Sequence, residues 1–145
     1  MPNPKITPCL WIEKDAKKAV RYYQSVFKKG KLISYKAYKN AGNPGGNFDV
    51  AEMEVLGMRF QILAAGPFFK FNEAISFSIR CKDQAEVDYY WEKLSAVPES
   101  EQCGWCKDKF GLSWQIVPEN MAELMKKPDA FKTMMNQHKI VIAEY

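Results

Sequence analysis

Phe110-Gly-Leu-Ser-Trp-Gln-Ile-Val-Pro118 is the stretch on which the reading of this chain turns. Gly111 marks a tight turn, and the residues after it alternate as a strand does, with successive side chains on opposite faces. Leu112, Trp114 and Ile116 share one face, and Ser113, Gln115 and Val117 the other. The same pattern stands earlier as Leu56-Gly-Met-Arg-Phe-Gln-Ile-Leu63. At an offset of 54 positions, Gly57 meets Gly111, Phe60 meets Trp114, Gln61 meets Gln115 and Ile62 meets Ile116. A turn glycine, an aromatic residue, a glutamine and an isoleucine recur in register.

A second echo lies upstream. Ile12, Val20, Tyr22, Tyr23 and Phe27 recur at an offset of 67 as Ile79, Val87, Tyr89, Tyr90 and Leu94. Each half therefore starts with a short apolar strand, passes into a helix with a Val-x-Tyr-Tyr patch, and ends on the turn-and-glutamine strand. Such internal repetition decides the architecture before any single motif does. The fall in offset means that the second half lacks about a dozen residues between its helix and its last strand. The expected fold is α+β, with two βαβββ-type modules, the second shortened, forming a curved mixed sheet around a cleft. Module one covers about 4–65 and module two about 74–118 of one domain, with short C-terminal helices and a tail over 119–145.

In the first half, the pattern predicts a strand over Ile6–Glu13, with Pro8 placing it at an edge. A helix over Ala16–Phe27 follows, with Asp15 as N-cap, and then a strand over Lys31–Lys39. Asn40–Asn47, rich in Gly, Asn and Pro, reads as a loop tip. Phe48–Val55 and Met58–Ala65 form a hairpin around Leu56-Gly57. Gly66–Glu73 carries three phenylalanines in a loop that serves either as a hydrophobic pin or as a pocket lid.

The second half repeats this with a strand over Ala74–Cys81, a helix over Asp83–Leu94, a polar link over Ala96–Gln102, and a hairpin of Cys103–Asp108 with Leu112–Pro118. Glu119–Lys126 and Pro128–His138 read as short helices, with Pro128 in the first turn of the second. Their Met-rich face suits core or subunit contact. Lys139–Tyr145 either adds a strand or lies across a neighbouring element.

The 145 residues suffice for a real core, and the 47% apolar and 14% aromatic content fits a folded globule. The net charge of +4 is modest, and its densest run, Lys28–Lys31, sits where a helix ends and cations complement the helix dipole. A nucleic-acid partner would call for a longer basic stripe. No apolar run approaches the ~20 residues of a membrane span, and the N-terminal residues lack the apolar core of a signal peptide. A cytoplasmic protein is expected, with Cys9, Cys81, Cys103 and Cys106 as reduced thiols.

No catalytic engine is obvious. The single histidine, His138, lies near the polar end of a helix, so no His-Cys, Ser-His-Asp or two-histidine metal motif can be assembled. Cys103-Gly-Trp-Cys106 has redox spacing, but a redox pair draws its acidity from a helix N-terminus, and here the four residues lead into a hairpin. Gln61 and Gln115 stand out instead. If the modules fold around a shared cleft, their amides enter it from equivalent strands, each with two donors and an acceptor for a polar ligand.

These residues resemble a known family. The Asp-x-x-x-Ala-Val-x-Tyr-Tyr helix start, Phe71–Phe77, Val87–Trp91, Cys103–Trp105 and Lys107–Pro118 are similar to the vicinal-oxygen-chelate superfamily of glyoxalase I, bleomycin-resistance proteins and extradiol dioxygenases. Closer still, they resemble its PhnB-like branch, labelled 3-demethylubiquinone-9 3-methyltransferase. The resemblance implies a fold of paired modules and, in the superfamily's metalloenzymes, a divalent ion held by His and Glu from equivalent strands. The histidine positions fall at about Pro8 and at Ala74 or Ile75, and the glutamate positions at Gln61 and Gln115. A neutral amide keeps the shape of glutamate without the charge that holds a hard cation. No metal is therefore expected. No cofactor is expected either, since the chain lacks a Gly-rich strand-to-helix turn for S-adenosylmethionine.

The function expected is binding of a small organic molecule by a homodimer. Trp11, Phe71, Trp105 and Trp114 serve as aromatic walls, and Gln61, Asn72, Ser76 and Gln115 as polar contacts. An enzyme remains the alternative, with Glu73 or Asp108 in acid-base catalysis, including the methyl transfer named in the label. A buried carboxyl beside aromatic rings can act near neutral pH. A protein with structural or interaction roles alone, its interior filled, is the third reading.

Overall fold

Alternation of buried and half-buried side chains along Met58–Ala64 puts Phe60, Ile62 and Ala64 on one face and Arg59, Gln61 and Leu63 on the other. That strand is the hydrogen-bonding centre of the first unit. The computed structural model describes residues 3–43 and 46–145, which form two units divided after Lys70.

In the first unit, β1 (Cys9–Ile12) leads into α1 (Ala16–Val26), followed by β2 (Lys31–Asn43), β3 (Gly46–Val55) and β4 (Met58–Ala64). The sheet order is β1-β4-β3-β2, with β1 parallel to β4 and the other pairs antiparallel. Pro8 lies just outside the edge strand and has no N–H to give, but its carbonyl accepts from Gln61 N at 2.8 Å. Asp15 caps α1 by accepting from Lys18 N at 3.0 Å. Asp49 reaches from β3 to accept from Ala16 N at 3.1 Å and from the Tyr35 hydroxyl at 2.9 Å, tying the helix start to the sheet. Ala19, Val20, Tyr23 and Val26 give α1 its buried face, with the Tyr23 ring edge-on to Phe60.

The second unit repeats the scheme with one strand fewer. β5 (Ser76–Cys81), α2 (Gln84–Leu94), β6 (Trp105–Lys107) and β7 (Ser113–Pro118) give a sheet of order β5-β7-β6, with β5 parallel to β7 and β6 antiparallel to it. Asp83 caps α2 through Glu86 N at 2.9 Å. Val87, Tyr90 and Leu94 are the buried residues of α2, and Ile79, Cys81, Cys106, Ser113, Trp114, Ile116 and Pro118 those of the sheet. Two short helices follow, α3 (Met121–Leu124) and α4 (Ala130–Met135). The α+β class, the two modules and the shortening of the second agree with the sequence reading.

The details differ at several places. The backbone register pairs Gln61 with Cys9 and Gln115 with Ser78, so Ile12 corresponds to Cys81 and Leu10 to Ile79. The repeat offset at the first strand is thus two residues longer than the Ile12–Ile79 match implied. The predicted loop tip is mostly strand, because β2 runs to Asn43 and β3 starts at Gly46; Pro44 and Gly45 lie outside the described residues. Pro128 precedes α4 instead of opening it, since Asp129 sits before the helix at φ 59°. The tail adds no strand. Gln137 and His138 carbonyls accept from Cys103 N and Gly104 N, and the chain ends in a 3-10 turn, Ile142–Glu144.

Candidate functional site

Strand parity sorts the residues singled out in the sequence. In the first unit, Gln61 shares its face with Cys9 and Trp11, opposite the buried residues that accompany α1. Trp11 is half-buried, donates from Nε1 to the Gly66 carbonyl at 2.9 Å, and meets Phe69 edge-on at 4.9 Å. The Phe-rich segment is thereby fastened to this face, although Phe68 and Phe69 stay largely exposed. Arg59 adds an ion pair to Glu52 on the same face at 3.4 Å.

In the second unit, Gln115 shares its face with Ser76, Ser78, Trp105, Lys107 and Ser113. Gln115 Nε2 donates to the Ser76 hydroxyl at 2.9 Å. The two amides therefore do occupy equivalent places, each on the sheet face turned away from the buried residues that pack with its unit's helix. Trp114 lies on the other face, buried, with Phe77 edge-on to its indole. It is core rather than an exposed wall. Asn72 is exposed and accepts from Ala74 N at 2.8 Å, shaping the entry to β5, while Phe71 is half-buried.

The two carboxylates have different surroundings from those acid-base chemistry asks for. Asp108 is fully buried and saturated by N–H donors: Phe110 N and Leu112 N bind Oδ1, and Trp114 Nε1 binds Oδ2 at 2.9 Å. It organises the turn between β6 and β7. Glu73 is exposed and forms an ion pair with Lys107, whose hydrogen bond holds the Glu73 carboxyl below the usual glutamate range. A group depressed in this way adds stability above the usual glutamate range and loses it as pH falls through the lowered value. A general acid needs the opposite shift.

A pocket of about 340 Å³ opens beside β6, lined by Glu73, Ser100, Gln102, Cys103, Trp105, Cys106, Lys107 and Ser113. In chain order the link before β6 stands where the first unit has β2. The link folds back on the strand: Ala96 N donates to the Lys107 carbonyl, and Lys107 N to the Ser100 hydroxyl. Of the lining residues, Glu73 and Trp105 were candidates from the sequence, Cys103 and Cys106 were weighed only as a redox pair, and Ser100, Gln102, Lys107 and Ser113 were missed. Lys107 alternates with the buried Cys106, which was the available signal.

All four thiols are free. Burial, followed by the charges of Asp108 and Glu101, pushes Cys106 up to about 12, and burial raises Cys103. Both shifts oppose the thiolate that redox exchange requires.

The superfamily's ion does not fit these residues. Pro8 offers no donor side chain, Gln61 and Gln115 are neutral, and the Gln115 amide is engaged with Ser76. Among the described residues, no three His, Cys, Asp or Glu side chains come together as a metal site. His138 is exposed, with Nδ1 3.4 Å from Glu101. S-adenosylmethionine does not fit either: no strand-to-helix turn among the described residues contains glycine, and Asp15, Asp49 and Asp83 already occupy N–H groups at the starts of α1 and α2.

Comparison with known proteins agrees with the fold. No curated protein matches the sequence. Among solved structures, the chain is similar to the PhnB protein of Bacillus cereus, at 28% identity and TM-score 0.63, over 79% of this chain and 99% of that one. Protein PA1353 of Pseudomonas aeruginosa is 17% identical, with TM-score 0.59, over 80% and 98%. A variant of the fosfomycin resistance protein FosX from Listeria monocytogenes, complexed with Mn(II) and 1S,2S-dihydroxypropylphosphonic acid, is 18% identical with TM-score 0.57 over 88% and 100%. The last two show the fold alone. The model of the family described as 3-demethylubiquinone-9 3-methyltransferase matches residues 4–117, and this chain belongs to that family, within the vicinal-oxygen-chelate superfamily.

Proposed function

We propose that this protein binds a small organic molecule without the divalent ion of its metalloenzyme relatives. The observation that carries the reading is the pair Gln61 and Gln115, equivalent in register and both on the sheet face away from the buried core. An amide there can orient a ligand by hydrogen bonding but lacks the charge to repay the dehydration of a metal ion. In the first unit Trp11 supplies apolar surface on the face of Gln61; in the second, Phe71 and Trp105 supply apolar surface and Asn72, Ser76 and Gln115 polar contacts. Methyl transfer, the activity in the family's description, is not favoured, for want of a cradle for the methyl donor.

Thermal-shift screening of small organic molecules, beside metal analysis of the purified protein, tests this. A ligand present at a hundred times its Kd should add about 2.7 kcal/mol, several degrees in Tm. Mn(II) alone should give no shift. One tightly bound metal ion per chain, lost when Gln61 and Gln115 are replaced, would end the reading.

The reading includes a homodimer in the cytoplasm. Edge strand β2 exposes Leu32, Ile33 and Tyr38, and α4 exposes Phe131 and Met135, all apolar surface suited to a second copy. Four free thiols suit a reducing compartment. No helix among the described residues is long and apolar enough to cross a membrane. Light scattering at micromolar concentration should give twice the chain mass; a monomer throughout would refute the dimer.

A further inference from the structure

The pocket beside β6 has the features of a built site. Ser113 is 1% exposed, and its hydroxyl has no hydrogen-bond partner among the described residues. An unsatisfied buried hydroxyl is costly, so a ligand atom that reaches Ser113 Oγ from the pocket gains a hydrogen bond the chain itself does not supply. Trp105 is half-buried and offers indole surface, and Cys103 and Cys106 are further lining residues. Lys107 is the one cation among the lining residues, and a carboxylate of the chain itself, Glu73, is seated on its ammonium. That carboxylate is held loosely: the Glu73 side chain is 64% exposed, against 24% for Lys107. Water screens an exposed ion pair, so exchange of Glu73 for another carboxylate costs little.

We propose that this pocket receives an organic carboxylate with an aromatic or apolar body, whose anionic head takes the place of Glu73 on Lys107 and hydrogen-bonds to Ser113. The body lies against Trp105. A single ammonium suits a monoanion better than a phosphate dianion, and the volume of about 340 Å³ is in the range of small-molecule sites. The assignment rests on the small-molecule-binding reading and names the ligand class for it. Glu73 becomes a gate that an incoming acid displaces, which gives its removal an unusual sign.

The test compares phenylacetate with phenylacetamide on the full chain, by calorimetry and by the Trp105 indole resonance in two-dimensional NMR. Phenylacetate should shift Trp105 and bind at least tenfold more tightly than the amide. Glu73→Gln should tighten phenylacetate about two- to fivefold, because the competing carboxylate is gone. Lys107→Met should abolish the preference for acid over amide, and Ser113→Ala should weaken phenylacetate about fivefold without lowering Tm. Equal binding of acid and amide, weaker binding by the Glu73 variant, or shifts that spare Trp105 would overturn the assignment. A neutral ligand found in the thermal-shift screen under any of those outcomes would leave small-molecule binding standing and remove the carboxylate class alone.

Discussion

Asp108→Ala is expected to lower the stability of the protein by about 3–5 kcal/mol, the largest single-residue effect in the second unit. The carboxyl is buried and receives three N–H groups, from Phe110, Leu112 and the Trp114 indole. Removing it orphans all three donors, each at about 1 kcal/mol or more, and leaves a void against the Trp114 ring. The backbone of the same residue closes the turn from both sides, donating to the Leu112 carbonyl and accepting from Gly111 N. Asp108→Asn keeps one acceptor but aims an NH₂ group at N–H donors, so about half of the loss should remain. Urea unfolding monitored by tryptophan fluorescence measures both variants. A loss below about 1 kcal/mol for the alanine variant would show that the turn holds by its glycine and strand pairing alone. Because Lys107 precedes Asp108 and Ser113 ends the turn, a loosened turn should also blunt ligand binding at the pocket.

Asp108 also marks the boundary between what is readable in the sequence and what is not. Asp-Lys-Phe-Gly is a turn signature, Asp at its first position and Gly at its fourth, and residue types alone thus assign Asp108 a backbone role. Attention to carboxyls as catalysts passed over it. The strands around Gln61 and Gln115 were legible because period-two alternation is written residue by residue. The same periodicity hid the true offset of the first strand. A slip of two residues leaves every side chain on its face, so matching Ile12 to Ile79 satisfied the pattern, whereas hydrogen-bond register matches Ile12 to Cys81. Trp114 follows similarly: alternation already placed it opposite Gln115, in the core, and only its size suggested a pocket wall. The pocket itself arises where the second module lacks a strand and the link Ser95–Gly104 folds back on β6. Such a fold-back depends on particular turn angles and side-chain acceptors such as Ser100, which no periodicity encodes.

Gly104→Ala is the second large effect expected, about 2–4 kcal/mol of destabilisation. Gly104 adopts φ 87°, where a residue with a Cβ pays about 1–2 kcal/mol. A Cβ would also stand 3.1 Å from the Ile116 carbonyl oxygen and 3.1 Å from Ile140 Cγ1, and Ile140 is fully buried. Neither neighbour yields freely: the Ile116 oxygen belongs to β7, and Ile140 is held by the adjoining tail, where Gln84 binds the Ile140 carbonyl and Ile142 N. The turn is strained on its other side too, since Cys103 has φ 40°. Two tail carbonyls bind this turn, Gln137 to Cys103 N at 2.7 Å and His138 to Gly104 N at 2.8 Å, and Cys103 lines the pocket. Displacing Gly104 should therefore free the tail, raise hydrogen exchange at the Cys103 and Gly104 amides, and weaken any ligand held beside Trp105. Gly111→Ala is the control. Gly111 has nearly the same angle, φ 86°, but nothing within 4 Å of an added Cβ, so it should cost about 1–2 kcal/mol and leave the tail protected. Equal losses for the two variants would mean that the backbone angle alone sets the cost and that the tail does not buttress the pocket wall.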